Sequence, residues 1–131
     1  MEKPITVSVD ASKVVNIAII GDLLEDKLDG LIASREEGVK IIADMYYADN
    51  KRVKVIIDLS SFTGKYAMKC FMEMLKFANS TKDYVEKTAV FGGSYQGKMI
   101  VEIIGAIALH ENVKFFETKE EAMEWLSKNH F

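Results

Sequence analysis

The chain opens with two apolar runs separated by a polar tetrad. In Ile5–Val9 ("ITVSV") apolar and polar positions alternate, the period of a strand wetted on one face. Val14–Ile20 ("VVNIAII") is apolar almost throughout, as in a strand covered on both faces. "DASK" between them reads as a hairpin turn, and Gly21-Asp22 as the end of the second strand. Leu28, Leu31, Ile32, Val39, Ile42 and Tyr46 then recur at helical spacing, with "SREE" on the wet side. Gly38 inside this helix costs about 1 kcal/mol relative to alanine and marks a point where it can bend.

The remaining pattern alternates strand with helix. Val53–Ile57 is a β-branched strand, Gly64–Ala78 a helix and Thr88–Phe91 a strand. After the "GGSYQG" loop come a helix over Lys98–Leu109, a strand over Val113–Phe116 and a helix over Thr118–Ser127. Thr118 followed by Glu121 is a capping-box start for the last of these. The order ββαβαβαβα predicts one α/β domain over residues 1–131, with a mixed, mostly parallel sheet of about five strands and four helices. The hairpin makes the first pair antiparallel and puts Ile5–Val9 at an edge; helical crossovers make the later strands parallel.

Two helices are more apolar than one sheet face requires. In Tyr66–Ala78 only Lys69, Glu73 and Lys76 form a polar stripe, and in Met99–Leu109 only Glu102 and Gly105 interrupt. Either the helices pack on one another, or Met68, Phe71, Met72, Leu75 and Met99 form an adaptable face for a protein partner or an apolar ligand. Self-association through this face as a two-fold homodimer is expected, because a symmetric pair covers the same patch twice.

Composition narrows the class. At 49% hydrophobic and 28% charged residues the chain is that of a globular protein. A net charge of −3 argues against nucleic-acid binding. Cys70 is the single cysteine, which suits a reducing compartment, and no N-terminal apolar leader is seen, so a cytoplasmic location is expected. The longest apolar stretch is too short and too interrupted for stable membrane insertion. One cysteine and two separated histidines, His110 and His130, offer no metal-ligand spacing, and no cofactor is implied.

Three stretches carry a family resemblance. "IAIIGDL" (Ile17–Leu23), "VIIDLSSF" (Val55–Phe62) and "VKFFETKEEAMEWL" (Val113–Leu126) resemble the second strand, third strand and closing strand-helix of STAS domains, nearest to the stand-alone bacterial SpoIIAA-like proteins. The resemblance implies the SpoIIAA-like fold and a non-enzymatic regulatory or binding role. It also implies a phosphorylated hydroxyl at the start of the helix after the third strand. Thr63 is the nearest positional match and Ser61 the next, although "SSFTG" lacks the family's acidic residue directly before the hydroxyls. Read from the residues alone, Ser61 or Thr63 is a helix cap.

"GGSYQGKM" is the nearest approach to a nucleotide motif. Gly92, Gly93, Ser94, Gly97 and Lys98 fit G-x-x-x-x-G-K between a strand and a helix, so the stretch is a candidate anion- or nucleotide-binding turn. Met99 stands where a magnesium-binding hydroxyl belongs. No catalytic constellation accompanies it. The expectation is therefore a non-enzymatic domain engaging a protein partner or a small apolar or anionic ligand, with phosphate or nucleotide binding and small-lipid carriage as alternatives.

Overall fold

The alternating pattern of the sequence builds a single five-stranded sheet, seen in a computed structural model that describes residues 3–128. His130 lies outside the described residues. The elements are β1 (Ile5–Val9), β2 (Val14–Leu23), a 3-10 turn (Glu25–Lys27), α1 (Leu28–Asp49), β3 (Val53–Tyr66), α2 (Met68–Thr81), β4 (Val85–Phe91), α3 (Tyr95–Ile107), β5 (Val113–Phe116) and α4 (Lys119–Ser127). Strand order follows chain order, with β1 antiparallel at one edge and β2 to β5 parallel. The expected fold class and element order are those observed.

The hairpin turn is held by one carboxylate. Asp10 Oδ1 accepts the N–H groups of Ser12 and Val14 at 2.9 and 3.0 Å, and Oδ2 accepts Asn16 Nδ2 at 3.1 Å. Desolvation alone would raise the Asp10 carboxyl, but these donors, helped by the Lys119 charge, hold it below the usual carboxylate range. A depressed folded-state pKa adds stability that is present above the unfolded value, near pH 4, and is lost as pH falls through the folded value. Urea titrations of the wild type and Asp10→Ala should thus differ at pH 7 and converge toward pH 3.

Same-handed crossovers place α1, α2 and α3 on one face of the sheet. Their contacts with it form the main core, which includes Ile17, Leu31, Val55, Met74, Phe77, Val90 and Ile104. Gly38 does not break α1. It is buried, and a Cβ there would sit 2.4 Å from Phe77 Cζ, so the glycine lets α2 press against α1. Behind Gly38, Arg35 meets the buried Glu73 at 3.4 Å, and Glu73 also pairs with Lys76 at 3.1 Å.

The opposite face carries α4 alone. Ala122 and Leu126 pack on Val14, Ile56 and Ala89, with Trp125 partly buried against them. Lys87 is buried beneath this helix, donating from Nζ to the carbonyls of Trp125 at 2.9 Å and Lys128 at 2.7 Å. A cation at a helix C-terminus satisfies the last carbonyls and complements the dipole there. The start of α4 keeps half of the capping box: Thr118 Oγ1 accepts Glu121 N–H at 3.2 Å, while the Glu121 carboxylate accepts from the Thr118 hydroxyl.

Several boundaries depart from the sequence reading. β2 continues through Gly21-Asp22 to Leu23, and β3 continues nine residues past Ile57. The two extensions pair with each other, Ile20 with Ser61, Gly21 with Phe62 and Leu23 with Tyr66, across two register shifts. Bulges of this kind let a ladder continue through residues that would otherwise end it. Leu23 and Phe62 are both buried and anchor the extension.

Candidate functional site

In a mostly parallel sheet, binding sites form beyond the carboxyl ends of the strands, where the loops converge. Here the two hydroxyl- and glycine-rich stretches come together at that edge. The extension of β3 lies over the loop from β4 to α3 so closely that glycine is demanded at three points. A Cβ on Gly92 would lie 2.4 Å from Ser60 Oγ, one on Gly93 2.6 Å from the Leu59 carbonyl oxygen, and one on Gly64 2.9 Å from Gln96 Cβ. All three glycines have positive φ, between 75° and 88°. The glycine content of "GGSYQG" is therefore accounted for by strand-loop contact.

The helix after this loop starts earlier than its sequence suggests. α3 begins at Tyr95, with Ser94 as N-cap accepting the Gly97 N–H at 3.2 Å. Gly97 and Lys98 thus belong to its first turn, and Gly97 is buried against Phe62. Ser94 occupies a donor that an anion would otherwise take. Replacing it with alanine should cost about 1 kcal/mol, measurable by chemical denaturation.

Ser61 and Thr63 are not caps. The residue preceding α2 is Ala67, which has no side-chain cap, because both hydroxyls sit on the strand extension. Thr63 Oγ1 donates to the Asp22 carboxylate, lies 3.3 Å from the Gly21 carbonyl oxygen and accepts the Lys65 N–H at 3.2 Å. Ser60 and Ser61 are also exposed, and Ser60 N–H is bound by Asp58 Oδ1 at 2.8 Å. Pairing between β2 and β3 extensions is what brings Thr63 to Asp22, two residues 41 positions apart.

The proposed apolar face divides in two. Phe71 and Leu75 are partly buried against the main core, while Met68, Met72 and Met99 are 66%, 45% and 41% exposed. The sequence reading missed the continuation on α3, where Ile103 and Ile107 follow Met99 at four-residue intervals and are 44% and 54% exposed. That spacing was the available signal.

A cavity of about 110 Å³ opens beneath α2 and α3, above the sheet. Its walls include Met74 and Phe77 from α2, Val101 and Ile104 from α3, and Ile17 and Val55 from the sheet. His110, after α3, sits at this cavity and donates from Nε2 to the Ala78 carbonyl at 2.7 Å. No group of acidic, histidine or cysteine side chains among the described residues is arranged to hold a metal. No helix there is long and apolar enough to cross a membrane.

Comparison with known proteins agrees with this architecture. A family model described as SpoIIAA-like matches residues 14–127. A Shewanella loihica PV-4 protein from the DUF3478 family, with a SpoIIAA-like fold, superposes with a TM-score of 0.68 at 15% identity, covering 96% of each chain. The anti-sigma factor antagonist SpoIIAA in its unphosphorylated form superposes with a TM-score of 0.62 at 12% identity, covering 95% of this chain and 99% of that one. No curated protein matches.

Proposed function

The chain belongs to the SpoIIAA-like family, and from that premise we propose that it is a non-enzymatic regulatory domain whose protein partner docks on the outer rows of α2 and α3. The observation that carries this reading is the exposure of Met68, Met72, Met99, Ile103 and Ile107 on the two helices. Burying such a side chain is worth about 1.5–3 kcal/mol, so a row of them in water is a costly surface that a partner would relieve. Methionines suit it because their unbranched side chains repack against different shapes. The name of the structural relative, an antagonist of an anti-sigma factor, favours a macromolecular partner. A second copy of the chain, in a two-fold pair, is the simplest one.

Control is assigned to the strand extension. A phosphate on Thr63 would add a charge of about −1.5 to −2 beside Asp22, with which the hydroxyl now bonds, and the repulsion would loosen the paired extensions. Ser61 is the alternative acceptor. Phosphopeptide mapping that finds only Ser60 or Ser127 would remove this part of the proposal.

The docking face is tested by photo-crosslinking in cells, with a benzophenone amino acid at Ile103 or Met72 and, as control, at Tyr47, which is 69% exposed at the far end of α1. Adducts to one discrete species from the first two sites and not from Tyr47 support the reading; if that species is the chain itself, the partner is a second copy. No adduct, or the same adducts from all three sites, overturns it. Sedimentation gives an independent check: Met72→Lys should split a dimer while leaving the fold intact.

A further inference from the structure

We propose that the cavity beneath α2 and α3 is a binding site for a small neutral molecule of about the size of a benzene ring, carrying one hydroxyl group, as in phenol. Three features define the ligand. The first is size. The volume is about 110 Å³, and a cavity of about 150 Å³ lined by aliphatic and aromatic side chains accepts benzene. A long acyl chain exceeds this volume and would project into solvent over much of its length, so the site differs from that of a lipid carrier.

The second feature is charge. No lysine, arginine, aspartate or glutamate lines the cavity. An ionised ligand would lose its hydration with no countercharge to replace it, which excludes carboxylates and amines in their charged forms.

The third feature is a hydroxyl on the sheet wall that has no protein partner among the described residues. The polar side chains at the cavity are Thr81, Thr88 and His110. Thr81 donates back to the Phe77 carbonyl at 2.9 Å, and His110 donates to the Ala78 carbonyl at 2.7 Å. Thr88 is 6% exposed, stands on β4 in the cavity lining, and its hydroxyl makes no hydrogen bond among the described residues. The only buried side-chain polar atom without a partner among the described residues is Arg35 Nε, so the Thr88 hydroxyl is accessible, and as it stands in the cavity lining, that opening is where a ligand hydroxyl would sit. Native interiors are close-packed, yet here the sequence keeps Ala78, Val101 and Gly105 around the space, where one bulkier side chain would fill it.

This site is separate from the outer face of the helices, so it stands or falls independently of the partner reading. The test is calorimetric titration of the wild type and Thr88→Val with phenol, toluene and dodecanoate. Phenol should bind the wild type at least tenfold more tightly than toluene, and Thr88→Val should abolish that preference while leaving toluene affinity within twofold. Val101→Phe, with Ala78→Leu as the alternative filling variant if it fails to fold, should abolish binding of both. Equal affinity for phenol and toluene in the wild type, no binding of either, binding that survives a folded filling variant, or stoichiometric binding of dodecanoate would each overturn the proposal.

Discussion

Gly93→Ala is expected to lower stability by about 4 kcal/mol, on the order of 15 °C in Tm. Two costs combine. Gly93 has φ +78°, a conformation that costs a residue with a Cβ about 1–3 kcal/mol. The added Cβ would also lie 2.6 Å from the Leu59 carbonyl oxygen and 2.7 Å from Leu59 Cβ. The closest of these is backbone within a buried strand, so no side-chain rotation relieves it, and such overpacking costs about a further 1–3 kcal/mol. The measurement is urea denaturation followed by circular dichroism. A loss under 1 kcal/mol would show that the loop retreats from β3 freely. The drop should be the same with and without ATP and magnesium, since it arises from strand-loop contact and not from an emptied anion cradle.

Glu73→Ala is expected to cost about 3 kcal/mol through a different mechanism. Glu73 is 5% exposed between α1 and α2, where it meets Arg35, a side chain 22% exposed whose Nε has no hydrogen-bond partner. Removing the carboxylate leaves a largely buried guanidinium without its countercharge, and breaking buried pairs from one side costs about 3–5 kcal/mol. Partial access of water to Arg35 sets the value at the low end. The pair with Lys76, an exposed lysine, contributes little. Replacing both charged partners, as in Arg35→Met with Glu73→Leu, should recover most of the loss, because an apolar pair of similar volume avoids the desolvation penalty. A double variant no more stable than Glu73→Ala would show that the ion pair itself holds the two helices.

How far the sequence could be read depended on whether neighbouring residues carried the signal. Alternation in "ITVSV", the apolar run of "VVNIAII" and the repeated strand-helix pattern determined the five strands, their succession along the chain and their directions. Hydrophobic period and right-handed crossover leave few other arrangements. Thr118 with Glu121 marked the start of α4 for the same reason, since a cap is a contact over three residues.

The tertiary structure decided the rest. Ser61 and Thr63 read locally as a cap, but the extension of β2 offered the chain a ladder to join, and burial of Phe62 and Leu23 favoured strand over helix. The glycines of "GGSYQG" resembled a phosphate loop because the same residue answers two needs, approach to an anion and approach to a strand; only the packing of Leu59 and Ser60 distinguishes them. Which apolar residues of α2 face water, and the meeting of Thr88, Thr81 and His110 at one cavity, depend on how helices settle on the sheet. Those contacts join positions far apart in the chain, and periodicity, which compares only near neighbours, carries no information about them.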